Sequence, residues 1–492
     1  MAFMVLSRFL DKNPFNCRCN VGVMGISMNR SVALLLVLVF LTSSCIVVKS
    51  AFSSADIAED SWASKARMHQ ERTGLGVAAM GGKIYAIGGI TIRQYMPNIA
   101  GFVVLGFRYL EDLGTLVGEN EEYDPDTNNW TTRTSMPTPR ILFATAVYQN
   151  KIYSIGGKTN AGYTAVIEVY DPATDTWETK TPMPTARSQV YAGVVNGKIY
   201  LMGGVPNGNL NEVYDPETDS WTTKASLPFE TWGPAGAVVE DKIYIVGSSR
   251  LQIYDSETDE WSQGASPLVG GGYGAVVTTG FLAPKRIYVI YQSDSKPNNG
   301  IYNPENDSWT VGADFPASRF NFGVAIVNDM VYAIGGHTYD IGRNGYVESV
   351  AANEQYTPFG YGTIPPDVSV ISPENTTFNS SSLSLIFTIN KPTSWLGYSL
   401  DGQDNVTVTG NVTLSELSNG LHHITVYAND TFGNMATSKT IIFTTAAAVE
   451  EPESFPIVTV AVAAITITVT IGISLAGYLN KKGRKQKTKS AS

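Results

Sequence analysis

The chain of 492 residues exceeds what one hydrophobic core organises, and charged residues make up only 16% of it against roughly 25% in an average soluble domain. A single small domain is excluded, and the abundance of Gly (46), Tyr (25) and Trp (8) favours β-structure with many turns. Net charge is −10, with +6 in the last thirteen residues and −16 in the remainder, an acidic body that excludes nucleic acid as a partner because phosphate binding needs clustered Lys and Arg.

The first predicted element is an apolar stretch from Val32 to Val48, preceded by Asn29-Arg30-Ser31 and followed by small residues around Ser50 to Ala55. Basic, apolar and small-residue parts in that order form a secretory signal peptide, so residues 1–55 are read as an N-terminal extension and signal peptide, with Met28 as an alternative start. Cys17, Cys19 and Cys45 all fall within it, and the exported chain is expected to keep none.

Three marks then recur in fixed order. A strand ending in a Gly pair comes first, at Gly88-Gly89, Gly156-Gly157, Gly203-Gly204 and Gly335-Gly336, with degenerate copies at Ile243 to Ser248 and Ile287 to Gln292. A Tyr followed by Asp-Pro or a relative comes next, at Tyr123, Tyr170, Tyr214, Tyr254, Tyr302 and Tyr356. Seven residues after the first five of these stand Trp130, Trp177, Trp221, Trp261 and Trp309. Tyr356 has no such Trp, whereas Trp62 lies 26 residues before Gly88 and follows no Tyr, so the two ends supply complementary parts of one repeat.

Six copies over residues 60 to 358 resemble the Kelch family, whose repeats each form a four-stranded blade of a β-propeller. The resemblance implies a six-bladed propeller over 56–362, with Trp62 on the outer strand of the blade that contains Tyr356. With strands a to d in each blade, b ends at the Gly pair, c at the Tyr and d at the Trp. The Tyr and Trp residues are expected to supply large buried areas between blades that share no continuous core. The b-to-c loops and d-to-a connections share one face, and the a-to-b and c-to-d turns the other.

Length variation is concentrated on the first face, where the Gly-to-Tyr spacing runs 34, 13, 10, 6, 10 and 20 around the ring. Rigid scaffolds place binding loops where such variation is tolerated. The longest loop, Ile90 to Asn120, offers Arg93, Tyr95, Arg108 and Tyr109 as ligand-binding candidates. Arg72, Arg140, Arg187 and Arg319, each sixteen residues before a Gly pair, are either scaffold groups bonding loop carbonyls or a ring that binds carboxylates. The resemblance implies protein or sugar ligands on this face.

Some proteins of this kind are enzymes. A copper radical oxidase needs a Cys cross-linked to Tyr and paired His ligands, and only His69 and His337 lie in the propeller, so that activity is excluded. A mutarotase-like sugar activity stays open. No catalytic residue, metal ligand or cofactor is assigned: the Asp-Pro-x-Thr-Asp segments read as turns, Gly270-Gly271-Gly272 lacks the strand-to-helix setting of a phosphate loop, and His422 and His423 point to opposite faces of a strand.

After Pro365-Pro366, seven short alternating segments within 366–446 suggest a β-sandwich resembling the Ig-like stalk modules of archaeal surface proteins. Possible glycosylation sites are Asn129, Asn306, Asn375, Asn379, Asn405, Asn411 and Asn429. A linker, 447–455, leads to an uncharged apolar run at 456–479, long enough to cross a bilayer as a helix, and the basic tail 480–492 is expected in the cytoplasm. The reading is therefore all-β with one transmembrane α-helix: a membrane-held extracellular propeller, not an enzyme, that recognises a protein or carbohydrate ligand. A tethered sugar-modifying enzyme and a structural envelope component are its alternatives.

Overall fold

The computed structural model describes residues 58–95, 114–247, 249–268, 274–291, 298–316, 318–340 and 346–446. The expected signal peptide, linker, transmembrane segment, tail and Gly270-Gly271-Gly272 lie outside the described residues, as do Arg108 and Tyr109. Among the described residues there is no α-helix, and none long and apolar enough to cross a membrane.

Six four-stranded antiparallel sheets form the blades of the propeller. In blade 1 the strands are Gly76–Met80 (a), Lys83–Ile87 (b), Asn120–Asp124 (c) and Asn129–Arg133 (d). Blades 2 to 5 repeat this order at 144–180, 191–223, 235–263 and 274–312. Blade 6 takes a, b and c from 323–357 and its outer strand from Ser61–Ser64, with Trp62 opposite Tyr356.

Two expectations for the tryptophans are corrected. Trp130, Trp177, Trp221, Trp261 and Trp309 each stand second in strand d, directly opposite the strand-c Tyr, and do not end the strand. The reason is the hairpin register: one further pair, such as Asp171 with Thr176, and four turn residues fill the seven-residue spacing and set Tyr and Trp face to face. Of these five only Trp130 is buried, and Trp177, Trp221, Trp261 and Trp309 are half-buried. Strand d is the outer edge of its blade, so its aromatics pack inward on the Tyr and leave one side to solvent, while the strand-c Tyr residues fill the space between blades.

The innermost strands contact one another in a closed ring. Small residues permit the approach; a Cβ on Gly323 would meet Val77 Cγ2 at 2.1 Å. No core runs through the whole ring. Each pair of neighbouring blades shares its own apolar cluster, such as Tyr200, Met202 and Val213 of blade 3 against Ile243, Ile245 and Tyr254 of blade 4.

A second repeated device joins blades at the rim. Tyr170 donates to Asp175 Oδ1 at 2.6 Å, and the same oxygen accepts Thr134 N of the preceding blade at 2.9 Å, while Trp177 Nε1 donates to Thr134 O at 2.8 Å. One residue of the neighbour is thus held by both its N–H and its C=O. Trp130, Trp221, Trp261 and Trp309 repeat the clamp on Ala66, Thr181, Ala225 and Ala265. On Ala313 it uses Asp60 and Trp62, so the ring is closed by the same bonds that join its interior blades. The first Asp of the turn in blades 1 to 4, and Asn303 in blade 5, accepts a nearby backbone N–H, as Asp171 does from Ala173 at 3.0 Å.

Two insertions meet where the sequence showed only loops. Ile90–Tyr95 and Gly114–Leu116 from blade 1 pair with Tyr346–Ser349 and His337–Asp340 from blade 6 in an extra four-stranded sheet. Ile90, Ile92, Ile141 and Val347 bury its underside.

Residues 368–445 form a second β module of two sheets, of three and six strands, around one apolar cluster that includes Leu385, Leu396, Val426 and Phe443. Two short strands, Thr377–Phe378 and Met435–Thr437, add to the seven expected segments. The module abuts the a-to-b side of blades 5 and 6. Gly362 N donates to Leu282 O at 2.7 Å, Tyr361 meets Phe432 edge-on at 5.9 Å, and buried Lys391 stands over the Phe281 ring with its Nζ on Ile364 O at 2.5 Å.

Candidate functional site

The face bearing the b-to-c loops is built by the constant spacing of Arg and Gly within each repeat. The backbone N–H of the second Gly of a blade donates to the carbonyl of the next blade's Arg, as Gly157 to Arg187 O at 2.8 Å and Gly336 to Arg72 O at 2.8 Å. Both Gly residues of each pair have positive φ, and a Cβ on Gly156 would stand 2.6 Å from Arg187 O. No other residue fits there.

The guanidinium of each Arg then turns into its own blade. Arg72 Nη1 donates to Gly88 O at 3.0 Å, Arg187 Nη1 to Gly203 O at 2.6 Å and Arg319 Nη1 to Gly335 O at 2.8 Å. Each also pairs with a strand-c Glu: Arg72 with Glu121 at 2.9 Å, Arg140 with Glu168 at 2.5 Å, Arg187 with Glu212 at 2.8 Å, and Arg319 with Glu354. All four Arg are buried, and burial lowers their pKa values against the opposing pull of the Glu partners. The structure therefore sets these residues inside the scaffold, with their charge already matched, and not as an open carboxylate-binding ring. Blade 4 replaces the pair with Thr231 and Gln252, whose Nε2 donates to Thr231 Oγ1 at 3.0 Å.

Two residues beyond the Arg position, the chain turns at the channel mouth with positive φ: Gly74, Leu142, Gln189, Gly233 and Asn321. Their backbones form a belt from blade to blade. Gly74 N donates to Asn321 O at 2.9 Å, Leu142 N to Gly74 O at 2.8 Å, Gln189 N to Leu142 O at 2.8 Å and Gly233 N to Gln189 O at 3.2 Å. Side chains at this position are free to vary because the backbone alone holds the belt. Sequence reasoning passed over these residues, although the signal was there: Gly, Leu, Gln, Gly and Asn at one repeat position.

Arg93 is exposed and stands 3.6 Å from Glu348 across the extra sheet, while Tyr95 lies in its strand opposite Tyr346. Blade 4 has the shortest b-to-c loop, and beside it Trp232 is 64% exposed on the connection into that blade. Arg250, exposed at the start of strand c, stacks on the Phe229 ring at 4.0 Å.

Two buried histidines serve structure. His337 has its Nδ1 2.8 Å from Thr73 Oγ1, and burial lowers its pKa to about 4. His422 lies against Asp401 and Ser418 O, each at 2.7 Å, whereas His423 is exposed. Among the described residues no group of three or more His, Cys, Asp or Glu is placed to hold a metal ion. Of the sequons, Asn129, Asn306, Asn375, Asn379, Asn405 and Asn411 are exposed, while Asn429 is half-buried with its Oδ1 enclosed.

Comparison with known proteins places Kelch motifs at residues 139–184 and 186–228, which cover blades 2 and 3. The chain is 29% identical over 208 residues to halomucin of Haloquadratum walsbyi, covering 38% of this chain and 2% of that protein. It is 34% identical over 50 residues to Kelch-like protein 15 of Homo sapiens, covering 10% of this chain and 8% of that protein. It is 31% identical over 90 residues to the influenza virus NS1A-binding protein homolog of Mus musculus, covering 18% and 11%. The chain thus spans only a small part of the length of these relatives. A solved structure titled "Structure of YjhT" is similar at a TM-score of 0.45 and 16% identity, covering 59% of this chain and 96% of that one. Kelch motifs thus match blades 2 and 3, and the strand topology is that of a six-bladed β-propeller.

Proposed function

We propose that the chain is a non-enzymatic recognition module, held at the cell surface by its C-terminal apolar segment, that binds a protein or carbohydrate ligand on the face carrying the b-to-c loops and d-to-a connections. Kelch repeats are generally protein-binding modules, which supports the reading. The observation that carries it is the contrast between faces. The clamp side repeats the same Tyr-to-Trp turn in blades 1 to 5 and the same pair of bonds at each blade junction, whereas the opposite face differs from blade to blade in loop length and in the side chains at the mouth. The second β module, read as an Ig-like stalk, abuts the uniform side, with its contacts at Leu282 and Tyr361.

The test is a screen of the full chain in detergent against glycan and surface-protein arrays, beside a variant lacking residues 93–119. Binding that is weakened or lost on the deletion locates recognition on this face. A folded chain that binds nothing on either array sinks the reading and turns attention to a structural envelope role.

A further inference from the structure

Gln189, Glu230 and Trp232 lie at the connection between blades 3 and 4, and Arg250 stands over Phe229 of the same connection. The connection 229–233 that carries Trp232 is stitched at both edges: Thr231 N donates to Gly208 O and Gly204 N to Thr231 O, both at 2.9 Å, and Gln252 accepts Phe229 N at 2.9 Å while donating to Phe229 O at 3.1 Å. The loop is rigid, yet its Trp is 64% exposed. Trp232 lies against Gly208, where a Cβ would stand 2.7 Å from the indole Nε1, and Glu230 flanks the same glycine. Gln189 Oε1 is 3.5 Å from the Cβ position of neighbouring Gly233. Arg250 stands over Phe229, its Cζ 4.0 Å from the ring centroid. Among the described residues the side chains of Gln189, Glu230, Trp232 and Arg250 have no hydrogen-bond or ion-pair partner.

We infer that this sector is a subsite for a neutral pyranose, a conclusion that rests on the recognition reading and names its ligand class. An exposed indole face on a rigid loop matches the apolar face of a sugar ring, and it costs little entropy to use. Arg250 supplies donors, Glu230 an acceptor and Gln189 both, which is the complement that vicinal hydroxyls need. Arg250 and Glu230 offset each other, so the sector carries no net charge to draw an acidic or basic sugar and selects through hydroxyl groups. One ring set among Gly208, Glu230 and Gly233 is too small an apolar area for a stable protein interface, which buries on the order of 1,200 Å² or more.

The experiment passes the full chain in detergent over beads bearing dextran, mannan or galactan, and over polygalacturonate. The expected result is retention on at least one neutral polymer, at least tenfold weaker for Trp232→Ala, preserved by Trp232→Phe, and weakened by Gln189→Ala, with melting temperature unchanged in each variant. Equal retention of Trp232→Ala, retention on polygalacturonate alone, or no retention on any polymer overturns the inference. Capture of an array protein that Trp232→Ala abolishes also overturns the sugar assignment, while leaving the recognition reading intact.

Discussion

Trp62 lies directly opposite Tyr356 with ring centroids 5.1 Å apart, the same register and distance that join Tyr214 to Trp221 inside a blade. Nearly three hundred residues of chain separate the partners of the first pair, and seven those of the second. The N-terminal strand therefore completes blade 6 as a substitute for the missing d strand and covers the edge that strand c would otherwise leave open.

Removing the closure should destabilise the whole ring. Trp62→Ala deletes a large aromatic that packs on Phe315 and Tyr356 and donates to Ala313 O, and it is expected to cost about 3–5 kcal/mol in chemical denaturation. Asp60→Ala removes the acceptor of Tyr356 and Ala313 N and should act in the same direction, by about 1–3 kcal/mol. A Trp62→Ala chain as stable as the parent would mean that the ring closes by other contacts.

The buried Arg–Glu pairs give a second prediction. Arg187→Thr alone leaves Glu212 enclosed and unpaired, at a cost of about 3–5 kcal/mol. Arg187→Thr combined with Glu212→Gln copies the arrangement that Thr231 and Gln252 already use in blade 4, and should recover at least half of that loss. A double variant no more stable than the single one would show that the pair is not interchangeable with its neutral counterpart.

Two histidines should give opposite pH dependence. Burial lowers the pKa of His337 to about 4, while the unfolded chain protonates near 6.5, so the native propeller loses stability as pH falls from about 6.5 through 4. For His422 burial opposes the charge, but the hydrogen bond to Ser418 O and the contact with Asp401 prevail and raise its pKa. Its contribution is complete below about 6.5 and is lost as pH rises through the folded value. Calorimetry between pH 4 and 8 should therefore find the acid-side loss reduced in His337→Gln and the alkaline-side loss reduced in His422→Gln.

At the junction with the second β module, Lys391→Met removes the ammonium that stands over Phe281, strips the partner from Ile364 O and leaves Asp430, 3.9 Å from Nζ, without its counter-charge. The cost is expected to be about 1–3 kcal/mol, read as faster proteolysis between residues 358 and 366. Unchanged cleavage would show that Lys391 does not hold the modules together.

The blade pattern was legible because each repeat carries its own local signal: Tyr and Trp stand seven residues apart across one turn, and four Arg stand sixteen residues before their Gly pairs. Asp175 shows where that stops. Its role in a turn is visible from Asp-Pro-x-Thr-Asp, but its bond to Thr134 N of the preceding blade is not, since nothing local marks a partner 41 residues away. Trp261 and Trp309 show the same limit: their repeat position was plain, but their place on an outer edge, half open to solvent, follows from sheet order. The extra sheet was hidden because Glu348 and Arg93 pair across two insertions with no periodicity of their own. At the candidate site, the repetition that drew attention to Arg72, Arg140, Arg187 and Arg319 marks scaffold, and the uncovered side chains lie where the repeats differ, at Gln189 and Trp232.

Whether recognition belongs to the variable face is tested most directly by comparing two triple variants of the full chain on the same glycan and protein arrays. One carries Gln189→Ala, Trp232→Ala and Arg250→Ala, and the other Gln149→Ala, Glu217→Ala and Glu257→Ala on exposed turns of the uniform face. Recognition on the variable face predicts at least tenfold weaker binding for the first and parental binding for the second. Loss confined to the second variant, or equal binding by both, would contradict it.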